Sequence, residues 1–223
     1  MFHREAAGGI VYHVFNRANA GITLFEEPGD YQAFEDLLIE AHEQVPMRTL
    51  AYCIMPTHWH FVLWPEMDRA LSGFMHWLGT THAKRWHAFR GTTGSGHIYQ
   101  GRFKSLPVES DRHFITVSRY VERNALSAGL VAAAEDWRWS SLHRRQNGDA
   151  KARALLSDGP LPWPPDWPAY VNTPLAQAEL ERLRLCIARG RPFGSEAWVD
   201  TTARTLGLEH TLRQGGRPRR LLR

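Results

Sequence analysis

The run Arg48-Thr49-Leu50-Ala51-Tyr52-Cys53-Ile54-Met55-Pro56-Thr57-His58-Trp59-His60-Phe61-Val62-Leu63-Trp64 decides the fold. It holds two strand-like stretches, Arg48 to Ile54 and His58 to Trp64, separated by a short turn containing Pro56. Such runs flanking a proline turn predict adjacent antiparallel strands. Strand side chains alternate between faces, so His58 and His60 project together while Trp59 points the other way into packing. Two converging imidazoles suit a divalent cation. Each offers a neutral ring nitrogen, and the pair leaves positions for a third side chain, water and a substrate oxygen.

Outward from this hairpin, Gly9 to Asn16 reads as a first strand with Val11, His13 and Phe15 on one face and Tyr12 and Val14 on the other. Asp30 to about Gln44 carries Phe34, Leu37, Leu38 and Ala41 at helical spacing, with Pro28-Gly29-Asp30 as its start. A second helix is predicted over Asp68 to Phe89, a fourth strand over Ile98 to Val108 with interruptions at Gly101 and Pro107, and a third helix over Asp111 to Ala125. The order β-α-β-β-α-β followed by α is the split βαβ pattern of an α+β, ferredoxin-like domain: an antiparallel sheet with helices on one face. This domain is expected to span residues 1–148. Beyond it, Pro160-Leu161-Pro162-Trp163-Pro164-Pro165 is too rich in proline for regular structure and reads as a linker or wrapping segment. Residues 149–223 are expected to form that linker and a short, basic helical extension, with helices over Thr173 to Ala188 and Ser195 to Leu206.

The 223 residues give room for one well-cored domain plus an appendage. No run of 18 apolar residues is present to cross a bilayer, and no amino-terminal signal pattern is seen, so a cytoplasmic protein without membrane contact is expected. Cys53 and Cys186 are too few for a disulfide framework. The net charge of +4 matters less than its placement. Arg213, Arg217, Arg219, Arg220 and Arg223 crowd the last eleven residues without an acidic neighbour, a pattern that favours a polyanion. The glycine-rich run Gly91 to Gly96 lacks the following Lys-Ser/Thr of a nucleotide-phosphate loop, which argues against an ATPase.

Tyr120 and Asn124, four residues apart on the third helix, address one site. Spacing leaves two readings of the tyrosine. It is either a hydrogen-bonded, partly buried phenol, or, with a metal held opposite by His58 and His60, a phenolate that attacks phosphorus in line. His13 could face the metal, orient a substrate or sit in the core, and a structural or supporting role is the expectation. His76, His82 and His87 form no compact ligand pair and read as solvated or hydrogen-bonding.

The chain resembles the single-tyrosine HUH transposases, specifically the REP-associated tyrosine transposases related to the IS200 and IS605 insertion-sequence enzymes. The resemblance covers most of the sequence. It rests on Tyr12-His13-Val14 with Arg17, Ala51 to His60 with Pro65, Gln100-Gly101-Arg102-Phe103, Tyr120 to Ala125, Ala128-Gly129-Leu130-Val131, Gly190 to Gly194 and Gly215 to Arg220. It implies a DNA strand transferase: His58 and His60 as the metal pair for Mg²⁺ or Mn²⁺, and Tyr120 as a nucleophile that keeps the 5′ end of cut single-stranded DNA as a phosphotyrosine. Asn124 stands where related enzymes carry a glutamine ligand, which makes it the candidate third ligand. Thr57 and Ala125 depart from the family's frequent Asn and Pro.

The implied substrate is single-stranded DNA with REP-like hairpins, handled by a monomer as in the REP-associated type, with a dimer as in the insertion-sequence enzymes left as the alternative. Arg17, Arg102, Lys104 and Arg123 are candidate phosphate clamps. Arg217, Arg219 and Arg220 are candidates in the basic end. Tyr99, Phe103, Trp137 and Trp139 are candidate platforms for unpaired bases, with Trp137-Arg138-Trp139 the least core-like. Two other readings remain at this stage: a hairpin-binding protein with weak or no catalysis, and a nuclease in which water attacks.

Overall fold

A computed structural model describes residues 6–213, and the hairpin stands at its centre. Strands β1 (Val11–Arg17), β2 (Arg48–Met55), β3 (His58–Trp64) and β4 (Lys104–Val108) form one sheet in the order β2-β3-β1-β4, with every neighbouring pair antiparallel. Helix α1 (Pro28–Gln44) connects β1 to β2, α2 (Ala70–Arg90) connects β3 to β4, and α3 (Arg112–Glu122) follows β4. The split βαβ order expected from the sequence is therefore present. The fourth strand is shorter than expected, because residues 98–103 run as a loop outside the regular ladder, tied at the end of β1 by the Ala18–Tyr99 bridge, by Gln100 N–H donating to Arg17 O at 3.0 Å and by Asn16 Nδ2 donating to Gly101 O at 3.1 Å.

The alternation of each strand sorts its side chains into two cores. Tyr12, Val14, Tyr52, Ile54, Trp59, Phe61 and Leu63 face α1 and α2, where Phe34, Leu38, Phe74 and Leu78 meet them. Val11, Ala51, Cys53, Met55, Val62 and Leu106 face the opposite way, onto Phe114, Val117 and Val121 of α3. The two helices of the βαβ unit share one face as expected. The sequence did not show that α3 and the carboxy-terminal segment build a second layer on the other.

Local chemistry sets the ends of these elements. Glu27 and Asp30 form a reciprocal capping box at the start of α1, and Pro28 occupies its first turn. Gly91, at φ 64°, gives α2 its left-handed C-cap. Asp111 caps α3 by accepting from the His113 N–H at 2.8 Å.

The segment after α3 wraps the sheet. Helices α4 (Asn124–Ser127), α5 (Ser141–Asn147), α6 (Ala150–Ala154), α7 (Trp167–Asn172), α8 (Gln177–Arg189) and α9 (Glu196–Thr205) succeed one another. Of these, α5, α6 and α7 were not expected. Helix α5 lies beside β2 and reaches both layers. Arg144 pairs with the buried Glu35 of α1, which also accepts from Tyr52 Oη at 2.7 Å. Arg145 pairs with the fully buried Glu122 of α3, which also accepts from Ser141 Oγ and from Trp167 Nε1 at 2.6 Å. The proline run carries no helix, but Trp163 packs, tilted, between Phe114 and Trp167. Further on, Leu183 and Cys186 of α8 enter the second core, and Phe193 bridges Val108 at the β4 edge. Arg217, Arg219 and Arg220 lie outside the described residues.

Candidate active site

The antiparallel register fixes which side chains meet on the α3 face. His13 lies opposite Val62, Phe15 opposite His60 and Arg17 opposite His58. Cys53 in turn pairs with His60, and Lys104 with Phe15. Cross-strand partners share a face, so Cys53, His60, Phe15 and Lys104 form one row across all four strands. Lys104 and Arg17 are exposed at this end of the sheet, and the Lys104 ammonium lies 5.9 Å from the Phe15 ring centre.

His58 and His60 stand with ring centres 5.1 Å apart and planes at 89°. Each already has one nitrogen occupied. Thr57 Oγ1 lies 3.2 Å from His58 Nδ1, and His13 Nε2 lies 2.9 Å from His60 Nδ1. Burial pushes both imidazoles below their ordinary range, His60 further because His13, His58 and Arg17 add to the effect. His13, fully buried, is pushed down to about 3. These rings are neutral at pH 7, the form in which imidazole offers a lone pair to a metal.

Tyr120 closes the site from above. Helix α3 buries Phe114, Val117 and Val121, which turns Tyr120 in its last turn toward the histidines. The phenol ring meets His60 and His13 edge-on, each at 6.0 Å between ring centres. The Asn124 amide lies beside both His58 and Tyr120, and its Nδ2 donates to the Tyr120 carbonyl at 3.5 Å. Burial raises the Tyr120 pKa, while the Arg184 guanidinium and the Asn124 contact pull it back. Arg184 belongs to α8 and was missed from the sequence, because its approach depends on how the carboxy-terminal segment wraps.

The donors fit a divalent cation. Two neutral imidazoles, each with one nitrogen already tied, and an amide beside them form a donor set for one cation. Among the described residues a separate grouping of Glu109, Asp111 and His113 also clusters. Its oxygens are committed elsewhere: Asp111 Oδ1 caps α3 and meets His113 Nδ1 at 2.7 Å, and Glu109 takes the Ser195 N–H at 2.6 Å. That cluster fastens the carboxy-terminal segment to the domain.

Several candidates from the sequence lie elsewhere. The Arg123 guanidinium donates to the carbonyls of Val171, at 3.0 Å, and Asn172, so it ties α7 to α3 rather than reaching a phosphate. Trp139 is buried against Tyr31, and Trp137 donates its indole N–H to Ile54 O at 2.9 Å. Neither serves as an open stacking platform. Tyr99 is also buried, accepting from Trp59 Nε1 and pairing with His82 Nδ1 at 2.6 Å. Arg102 and Arg138 are exposed.

A split-βαβ sheet that presents a histidine pair on one strand to a helix-borne tyrosine defines a histidine-pair, single-tyrosine class of site. The family model described as Transposase IS200 like matches residues 7–124, and the chain belongs to that family. A Haemophilus influenzae protein assigned by name to the REP-associated tyrosine transposases is 27% identical over 124 residues, covering 52% of this chain and 68% of the relative. A solved structure of a REP-associated tyrosine transposase bound to a REP hairpin matches with TM-score 0.56 at 20% identity, over 79% of this chain and 91% of that one. The likeness to that structure shows a shared fold. No helix among the described residues is long and apolar enough to cross a membrane.

Proposed function

We propose that the chain cuts and rejoins single-stranded DNA at REP-like hairpins through a covalent bond to Tyr120. The observation that carries this reading is the Tyr120 ring, held edge-on to His60 at 6.0 Å with the Asn124 amide beside it. A structural tyrosine does not require two metal-capable histidines beneath it.

The residues divide the work. Arg17 and Lys104, at the open end of the histidine row, hold the backbone on either side of the scissile phosphate. The phenol of Tyr120 passes its proton to water and its oxygen attacks phosphorus; the P–O3′ bond breaks, and the leaving oxygen takes a proton from water to become a free 3′-OH. Arg184 favours the phenolate and balances charge as it moves to the phosphoryl oxygens. Attack by another 3′-OH on the phosphotyrosine reverses the step and restores the phenol, without a nucleotide cofactor. Bound by His58, His60 and Asn124, Mg²⁺ or Mn²⁺ would polarise the phosphodiester and steady the leaving oxygen. His13 fixes the outer nitrogen of His60, and Thr57 does the same for His58, so the relaxed Thr57 position still supplies a partner. Tyr120 faces the histidines of its own chain, which supports a monomer as the working unit.

The test is a denaturing gel of the protein and a Tyr120→Phe variant, each mixed with Mg²⁺ or Mn²⁺ and a single-stranded hairpin oligonucleotide. A slow-migrating protein–DNA adduct with the wild type alone is expected. Tight hairpin binding without any adduct would replace this reading with that of a binding protein, and cleavage without adduct would make water the attacking group.

A further inference from the structure

The end of β1 is held from two sides. Its ladder with β3 runs as far as Arg17 opposite His58, but its ladder with β4 stops at Phe15 opposite Lys104. Beyond that point the loop of residues 98–101 takes the place of β4. Gln100 N–H donates to Arg17 O at 3.0 Å, Asn16 Nδ2 donates to Gly101 O at 3.1 Å, and Ala18 bridges Tyr99. On the other side, Ala18 N–H donates to Thr57 O at 2.8 Å, in the turn that precedes His58. Arg17 therefore starts from backbone clamped between the histidine hairpin and the loop. Its guanidinium lies close enough to His58 and His60 to disfavour their protonation.

The loop is in turn anchored by one side chain. Of residues 98–103 only Ile98 and Tyr99 are buried, and Tyr99 carries the polar group. Indole can only donate, so Tyr99 Oη accepts from Trp59 Nε1 at 3.0 Å, and the phenol's own proton goes to His82 Nδ1 at 2.6 Å. The burial that keeps His82 unprotonated keeps that acceptor available. Trp59 stands between His58 and His60 in β3, fully buried among the side chains of the opposite face. One phenol thus ties the strand that bears the histidines, the loop that holds Arg17, and helix α2. Packing alone does not require this hydroxyl, since phenylalanine would fill the same space. Directional bonds add what packing does not, by fixing where the loop sits along Trp59.

We propose that Tyr99 is a positioning residue for strand transfer. Through Trp59 and His82 it fixes the loop that holds the Arg17 backbone, and so sets where the Arg17 guanidinium stands relative to the histidine pair. The inference rests on the reading of the chain as a tyrosine strand transferase. Tyr99 lies on the face of the sheet away from Tyr120, so it acts on the reaction only through what it holds. A clamp displaced by about 1 Å can cost roughly a hundredfold in rate.

The test follows adduct formation with a hairpin oligonucleotide and Mn²⁺ in excess over full-length protein, the adduct counted per chain. Wild type and Tyr99→Phe are compared well below the melting temperature of each. The rate constant of Tyr99→Phe is expected to fall roughly ten- to hundredfold, while the final yield per chain and the hairpin affinity stay as in wild type. Loss of folded protein would lower the yield and leave the rate constant alone, so that pattern, or an unchanged rate, overturns the positioning role. His82 gives a second arm. His82→Leu removes the acceptor and should slow the reaction likewise, and His82→Asn, which keeps one, should recover most of the rate. If Tyr99→Phe yields no folded protein, the His82 pair decides, and equal rates in the two overturn the inference. A wild type that forms no adduct overturns strand transfer and the inference with it. A wild type that forms one while Tyr99→Phe keeps its rate overturns the inference alone.

Discussion

His13 and His60 share a single hydrogen bond, and that bond sets which nitrogen of His60 is free. With Nε2 kept as a lone pair, the Nδ1–H of His60 donates to His13 Nε2, and His13 keeps its own proton on Nδ1, an atom buried without a partner. Replacing His13 by Phe removes the acceptor and lets the His60 ring turn. Mn²⁺ affinity, read by electron paramagnetic resonance of the free ion, is expected to fall about 10–100-fold, with His13→Gln recovering part of the loss. Unchanged affinity in His13→Phe would make His13 a packing residue only. Arg184 invites a similar test: Arg184→Gln should slow adduct formation about tenfold, equivalent to ~1.4 kcal/mol of barrier, while leaving hairpin binding intact.

The difference between these residues explains what the sequence disclosed. His58 and His60 are legible because period-two alternation is local, and Tyr120 with Asn124 because i, i+4 spacing is local. The hydrogen bond from His13 depends on the register between β1 and β3, and the approach of Arg184 depends on how α8 wraps. Neither is written in any short window. Trp137 and Trp139 misled for the same reason: a tryptophan pair beside an arginine reads as exposed until β2 and α1 are brought against it.

At the scale of elements, the long helices and the hairpin were readable because each buries a periodic apolar face. Helices α5 and α7 were not, since they are short and bury too few apolar side chains, Leu142 in one and Trp167 and Val171 in the other, to mark a period. Helix α5 links the two layers through adjacent arginines, Arg144 to Glu35 and Arg145 to Glu122. Glu122→Ala would leave Arg145 and the Trp167 N–H without their buried acceptor. The expected cost is about 3 kcal/mol, seen as a lower urea midpoint. A Glu122→Ala midpoint matching wild type would mean that α5 and α7 are carried by apolar packing alone.

At the scale of the whole molecule, acid should loosen the fold through His82. Packed against Phe25 and Phe34, its pKa is pushed down to about 3 by burial, whereas the unfolded chain titrates near 6.5. The unfolded state therefore binds the proton first. The contribution of His82 is fully present above pH 6.5 and declines as pH falls from there toward 3, by about 1.4 kcal/mol per unit. Melting temperatures between pH 7 and 5 are expected to fall, and His82→Phe to flatten that fall. Equal slopes for the two proteins would show that His82 is protonated in the fold.

The placement of Tyr120 over histidines of its own chain has a stoichiometric consequence. Under the proposed chemistry one phenol accepts one phosphoryl group, so each chain would store a single DNA end and its mass at saturation should rise by the one cleaved fragment that carries the 5′ phosphate. Joining the two ends left by an excised segment then needs either two turnovers in sequence at one site or two chains working side by side. For a monomer working by that chemistry, the order in which ends are released would be a property of the DNA rather than of a protein interface.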